Sequence, residues 1–216
     1  MAIRRKYQNE NLVRTVDKIH EELCSSGHKP EMRSNFFPNL INKMGLKIGA
    51  EIGVDKGIFS NVLMQKSKLE KLYCIDIWQN EDKFELTKST LKPWMDIERV
   101  EIIRKLSIDA SKDIPDDSLD FCYIDGDHSL EGIYVDLRAW IHKVKVGGIL
   151  AGHDYKDGRA SGTKDHFGYH LRNKVKLVVD DFCPRYGYKL KTIRSRVLNW
   201  YLVKNTPCEA KLVLAY

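Results

Sequence analysis

Short apolar runs alternate with stretches of helical spacing through most of this chain. Ile48 to Ile52, Leu72 to Ile75, Val100 to Ile103, Phe121 to Ile124 and Ile149 to Ala151 are continuous apolar segments of strand length. Between them, Ile58, Val62 and Leu63 fall on one helical face, and Ile133, Leu137, Trp140, Ile141 and Val144 recur as one face of a longer helix. Residues 78–94 are polar with a helical tendency that Pro93 interrupts, and Gly147-Gly148 reads as a turn into the fifth strand. Upstream, Leu12, Val13, Val16, Ile19 and Leu23 predict an amphipathic helix over 11–24, followed by a loop from Ser25 to Pro38. In that loop Phe36 and Phe37 either anchor the segment or line a substrate mouth. Downstream, residues 164–183 read as helix, and Tyr188 to Arg194, Trp200 to Val203 and Lys211 to Ala215 as strands. Apolar strands between amphipathic helices predict an α/β fold, a doubly wound and mostly parallel sheet with helices on both faces.

That alternation locates a site before any motif is considered. Open parallel sheets bind ligands beyond the carboxyl ends of their strands. The polar residues of interest fall there: Gly53 after the first strand, Asp76 after the second, and Ser107 and Asp109 after the third. Asp125, Asp127 and His128 follow the fourth, and His153 and Asp154 the fifth.

The stretch from Lys47 to Asp76 is the most informative. An apolar run carrying Glu51 leads into a turn with Gly53 and Gly57, then a helix, then a second run closed by Asp76. Strand, glycine turn, helix, strand and terminal acid is the order of a nucleotide-binding unit, in which the acid accepts the ribose hydroxyls. The pattern is E-x-G-x-x-x-G rather than G-x-G-x-x-G. Glu51 would repel a pyrophosphate and attract the amino group of a nucleoside bearing an amino acid, which points to S-adenosylmethionine.

The ends of strands four and five carry the second constellation. Asp125, Asp154 and either His153 or Asp127 could share one divalent cation, because neighbouring carboxylates repel unless a hard ion sits among them. Mg²⁺ suits an all-oxygen set, and an imidazole shifts the preference toward Mn²⁺. Such an ion would hold and acidify a substrate hydroxyl. Asp127 and His128 are both placed to take the proton.

Composition narrows the picture. The chain has 216 residues, enough for one domain with decorations. No apolar run approaches the length of a membrane span, and the N-terminal MAIRRKYQNEN lacks the apolar core of a signal peptide. Five scattered cysteines without a CxxC, two of them (Cys74 and Cys122) in apolar runs, predict reduced core thiols in a cytoplasmic protein. The net charge of +6 is uneven, with 13 Lys+Arg against 5 Asp+Glu in residues 156–216. Without clustered aromatics, that basic third reads as solvated surface more readily than as a nucleic-acid interface.

The segments AEIGVDKG, YCIDIW and YIDGDHSLEGIYVDLRAW…GGILAGHDY together resemble the class I S-adenosylmethionine-dependent methyltransferases, in particular the compact sugar and macrolide O-methyltransferase-like group. The resemblance covers roughly Gly45 to Val203. It implies a Rossmann-like seven-stranded sheet with one late antiparallel strand, with residues 1–44 as an N-terminal helical extension or lid and 45–216 as the methyltransferase domain. Glu51, Gly53 and Gly57 would surround the methionine part of the cofactor, Asp76 the ribose, Trp78 the adenine, and Ser107 and Asp109 its amine, and Asp125 would also be a cofactor-binding residue. Metal-dependent members have acids where Asp125, His153 and Asp154 stand, so His153 departs from the pattern. The general base in different members falls at Asp127 or His128.

Metal-assisted O-methylation of a hydroxyl on a small molecule or glycan is thus the expected activity. The rivals are a metal-independent methyltransferase acting on nucleic acid or protein and a cofactor-binding protein without catalysis. No N/D-P-P-Y/W tetrad and no Lys-Asp-Lys-Glu arrangement supports the first rival. Acceptor choice is expected from the segment before Lys47, residues 79–99 and the loop 155–168, with Tyr155, Arg159, His166 and Tyr169 as candidates. The N-terminal helix and late strands are candidates for a homo-oligomer interface.

Overall fold

The computed structural model describes residues 2–25, 33–156, 158–164, 170–193 and 198–207. Two helices, α1 (Ala2–Ser25) and α2 (Arg33–Met44), precede the sheet. The alternating body follows: β1 (Ile48–Ile52), α3 (Ile58–Lys66), β2 (Lys71–Asp76), α4 (Glu81–Met95), β3 (Val100–Arg104), α5 (Ser107–Asp113), β4 (Leu119–Ile124), α6 (Leu130–Lys143) and β5 (Val144–Gly152). A ribbon of β6 (Gly158–Lys164) and β7 (His170–Asn173) leads to α7 (Val175–Arg185), and β8 (Lys191–Ile193) and β9 (Asn199–Val203) close the described chain.

Seven strands form one sheet in the order β3-β2-β1-β4-β5-β9-β8. The first five are parallel, and β9 runs antiparallel to both β5 and β8. This is the Rossmann-like, mostly parallel α/β sheet that the apolar runs predict, with one late antiparallel strand.

Register explains why the polar residues converge. Ile52 pairs with Ile75 and with Ile124, and Ile124 with Gly152, so these residues form one row across β2, β1, β4 and β5. Asp76 closes β2 one step past that row, and Gly53, Asp125 and His153 leave their strands there. Both faces of the sheet are packed. Phe37, Phe59, Leu63, Phe121 and Tyr201 belong to one buried layer, and Ile133, Leu137, Trp140, Val179 and Trp200 to the other.

Several local expectations are corrected. The stretch before Met44 is a helix from Arg33, because Phe36, Phe37, Leu40 and Ile41 fall at helical spacing and are all buried. Phe36 and Phe37 are therefore core residues rather than the lining of a substrate mouth. Pro93 does not interrupt its helix but lies in the last turn of α4. The predicted Gly147-Gly148 turn lies within β5, where Gly147 has φ 95° and the pairing with β4 shifts register between Leu119 and Phe121. Val144 opens that strand rather than extending α6. In place of a helix over 164–183, β7 pairs with β6 and α7 starts at Val175, where Val175, Val178, Val179 and Phe182 supply the buried stripe. The strand after Tyr188 starts only at Lys191 and runs to Ile193, with Arg194 outside the described residues. The expected strand Lys211 to Ala215, together with His166 and Tyr169, lies outside the described residues. Cys74, Cys122 and Cys183 are buried free thiols and Cys24 an exposed one. No described helix is long and apolar enough to cross a membrane.

Candidate functional site

A cavity of about 680 Å³ opens beyond the carboxyl edge of the sheet, lined by Gly53, Asp55, Asp76, Ile77, Leu106, Ser107, Ile108, Asp125, Gly126, Asp127, Gly132 and Asp136, among others. Its size is within the range of small-molecule sites, roughly 300–1,000 Å³. A second cavity of about 280 Å³ is lined by Arg33, Glu51, Val54, Lys56, Ile58 and Phe59, and shares Gly53, Asp55 and Asp125 with the first.

The glycine turn lies between them. Gly53 has φ 84°, a left-handed conformation that favours glycine. A Cβ there would stand 2.2 Å from the Asp125 carbonyl oxygen. Gly57, at φ 73°, caps α3 without a side chain.

Glu51 points from β1 into the protein and is only 2 % exposed. Burial pushes its carboxyl up to about 8, against the Ser60 hydroxyl that donates to it and the charge of Arg33. The end of β2 is organised differently. Asp76 accepts the Asp55 N–H at 2.9 Å on Oδ2 and the Trp78 N–H at 2.9 Å on Oδ1, which fixes the carboxylate at the cavity wall. Trp78 turns away from the cavity: it is buried, and its indole N–H donates to the Asp55 carbonyl at 2.8 Å. Ile77 lines the cavity instead, with Leu106 and Ile108. After β3, Ser107 lines the cavity while Asp109 pairs with Lys112 at 2.7 Å on the surface.

Past β4 and β5 four titratable side chains meet. Asp125 Oδ1 lies 3.3 Å from His128 Nε2 and 3.4 Å from His153 Nδ1, and its Oδ2 accepts from Arg33 Nη1 at 2.5 Å. His128 Nδ1 is 3.3 Å from Asp154 Oδ2, and His153 Nδ1 is 3.5 Å from Asp154 Oδ1. His128 Nε2 has no aligned hydrogen bond, so its attraction to Asp125 is a charge contact. Burial raises the Asp125 carboxyl by itself, but His128, His153 and Arg33 outweigh it and hold the group well below the usual carboxylate range. Burial likewise opposes the charge on His128, yet Asp125 and Asp154 raise it to about 9. Asp127 lines the larger cavity, and its oxygens accept from the Ser129 N–H at 2.9 Å and the Ser129 hydroxyl at 2.8 Å, the turn that starts α6.

Two groups at the site are not evident from local pattern. Arg33 comes from α2, with its guanidinium over the Phe59 ring at 4.7 Å and on Asp125. Asp136 interrupts the apolar stripe of α6 between Ile133 and Leu137, and that interruption is the one signal that could have revealed it. Of the expected acceptor-selecting residues, Tyr155 donates to Asp180.

Residues 50–155 match a family model described as a methyltransferase domain. This segment is similar to a methyltransferase domain. It contains the row of strand ends from Gly53 to Asp154 in full. An uncharacterised protein of Acanthamoeba polyphaga mimivirus is 30% identical over 118 residues, which are 51% of this chain and 52% of that protein. The chain thus spans about half the length of the curated relative it matches. Among solved structures, an O-methyltransferase of Bacillus cereus in complex with SAH has a TM-score of 0.61 at 13% identity, covering 88% of this chain and 90% of that one. A SAM-dependent O-methyltransferase of Thermotoga maritima has a TM-score of 0.56 at 15% identity, covering 82% and 66%. These likenesses show that the chain shares the fold of these O-methyltransferases.

Proposed function

We propose that this chain is an S-adenosylmethionine-dependent O-methyltransferase acting on a hydroxyl of a small molecule or glycan. The supporting observation is that two cavities share Gly53 and Asp125, with the ribose-type acid Asp76 lining one, Glu51 the other, and Asp125 belonging to the Asp125-His128-Asp154 cluster. The residues fit the cofactor. Gly53 lines both cavities without a side chain, Asp76 presents a fixed carboxylate for the ribose, and Ile77, Leu106 and Ile108 offer an apolar wall for a purine.

When bound, S-adenosylmethionine supplies an electrophilic methyl on a sulfonium. Glu51 and Gly53 would receive its amino-acid end, Glu51 losing its proton as an ammonium approaches. Asp125 and Asp154 orient His128, which in its neutral form takes the acceptor's proton. Asp127 is the other candidate for that role, but both of its oxygens already accept from Ser129. Asp127 lines the larger cavity, whereas His128 sits behind it between Asp125 and Asp154.

A divalent ion belongs to a second reading. His153 Nδ1 lies near both Asp125 Oδ1 and Asp154 Oδ1, so three donors converge. Yet Arg33 already holds Asp125, and His128 lies between the carboxylates as a cation. Among the described residues no three His, Cys, Asp or Glu side chains are arranged to hold a metal ion. As arranged, Asp125, His153 and Asp154 do not fit Mg²⁺ or Mn²⁺.

Calorimetric titration of metal-stripped protein with S-adenosylmethionine, with and without Mg²⁺ or Mn²⁺, tests both readings. Micromolar binding that Asp76→Ala abolishes supports the cofactor assignment and justifies a screen of hydroxylated acceptors. No binding would remove it. A metal-dependent gain lost in Asp125→Ala would restore the metal-assisted form.

A further inference from the structure

Asp136 is 5 % exposed and lies in the wall of the larger cavity. Its two oxygens differ. Oδ1 accepts the Ser107 hydroxyl proton at 2.5 Å, and Ser107 Oγ in turn accepts the Trp140 indole N–H at 2.7 Å. Trp140, Ser107 and Asp136 thus form a directed chain that ends on the carboxylate. Ser107 has spent its only proton and has none to give a ligand. Among the described residues Oδ2 accepts no hydrogen bond. Gly126 stands against it, where even a Cβ would come within 3.3 Å.

Oδ2 is thus the acceptor that this carboxylate leaves open on the cavity side. Nearby cations are committed elsewhere: Lys83 pairs with Asp55 at 2.6 Å and Lys105 with Asp113 at 2.6 Å. A donor carried by whatever fills the cavity can therefore reach Oδ2 without displacing a protein partner. Ser107, which holds Asp136, lies in sequence between Leu106 and Ile108, the apolar wall suited to a purine. On its hydrogen-bonding edges adenine carries N–H only at the exocyclic amine, its ring nitrogens being acceptors.

We propose that Asp136, held by Ser107 and Trp140, is the group that recognises the adenine amine of the cofactor through Oδ2, in place of Asp109. The assignment rests on the cofactor reading above. It makes Asp136 a specificity residue for a 6-aminopurine. Burial pushes its carboxyl up to about 6, so the accepting form prevails at neutral pH.

The test compares two ligands on the full chain, S-adenosylhomocysteine and its 6-oxo counterpart S-inosylhomocysteine, by calorimetry with wild type and Asp136→Asn. Wild type should bind the amino ligand at least tenfold more tightly, because the 6-oxo group would face a carboxylate. Asp136→Asn, whose amide can donate to that oxygen, should narrow or invert the ratio. A wild-type ratio near one overturns the proposal, and so does an unchanged ratio in a folded Asp136→Asn. The wild-type comparison decides even when the variant does not fold. Absence of S-adenosylhomocysteine binding in wild type sinks the cofactor reading itself, a different outcome from binding without discrimination.

Discussion

The Cα of Gly53 and the Asp125 carbonyl approach so closely that a single added methyl would sit 2.2 Å from the oxygen. Two adjacent parallel strands, β1 and β4, deliver them side by side, and the left-handed φ of Gly53 turns the chain away just before contact. Gly53→Ala must move backbone against backbone, which no rotamer change relieves. Strain of this kind costs roughly 1–3 kcal/mol for the backbone conformation alone, and the overlap adds to it. The expected outcome is loss of cofactor binding in calorimetry with a lowered thermal midpoint. Unchanged binding would remove Gly53 from the site.

Glu51 links stability to the ligand. Its carboxyl is raised from 4.5 to about 8 in the folded chain by burial, so the folded state holds a proton that the unfolded state has released. Stability therefore falls as pH rises from about 4.5 through about 8, by a few kcal/mol on the scale of about 1.4 kcal/mol per pKa unit. Glu51→Gln should flatten that fall in urea titrations at pH 5, 7 and 9, while weakening cofactor binding. An ammonium placed beside Glu51 would expel its proton. Calorimetry at pH 7 in buffers of different ionisation enthalpy should show proton release on S-adenosylmethionine binding, absent in Glu51→Gln.

His128 gives the reaction a pH signature. Raised to about 9 by Asp125 and Asp154 against its burial, it is almost wholly charged at pH 7, with only about one molecule in a hundred neutral. If it takes the acceptor's proton, methyl transfer rises roughly tenfold per pH unit until about 9. His128→Gln should lower the rate by about 10²–10⁴-fold and abolish the rise. A pH-independent rate between 6 and 9 that Asp127→Asn destroys would move the proton to Asp127.

How far the site could be read from sequence depended on how local each determinant is. Gly53, Asp76, Asp125 and His153 sit at the ends of apolar runs, and parallel register alone brings them to one edge. Pro38 reads as loop punctuation in the sequence, yet Phe36, Phe37, Leu40 and Ile41 carry the helical period of α2. Its Arg33 reaches Asp125 only through tertiary packing, which no spacing encodes. Trp78 shows the opposite error. Proximity to Asp76 in sequence placed it at the ligand, but φ 40° and the Asp76 acceptor turn it inward to Asp55 and Thr87. Asp136 was hidden in an amphipathic stripe whose buried positions are otherwise apolar.

Lys204 separates folding from function. It follows β9 at the edge of the sheet opposite the cavity, where its N–H bonds Gly148 and its carbonyl accepts from Gly147. Its side chain is 1 % exposed, and Nζ donates to Asp117 at 2.8 Å and to the Val144 carbonyl at 2.7 Å. Lys204→Met keeps the stem but leaves the Val144 oxygen without that donor, a loss of about 1–3 kcal/mol. Asp117 is largely exposed and rehydrates, so the full cost of a broken buried ion pair is not expected. For a chain of this size the thermal midpoint should fall about 2–4 °C per kcal/mol. Cofactor affinity at 25 °C should stay the same, since the affected carbonyl lies at the start of β5 and the cavity beyond its end. A variant that lost binding while keeping its midpoint would show that the two edges of the sheet are coupled.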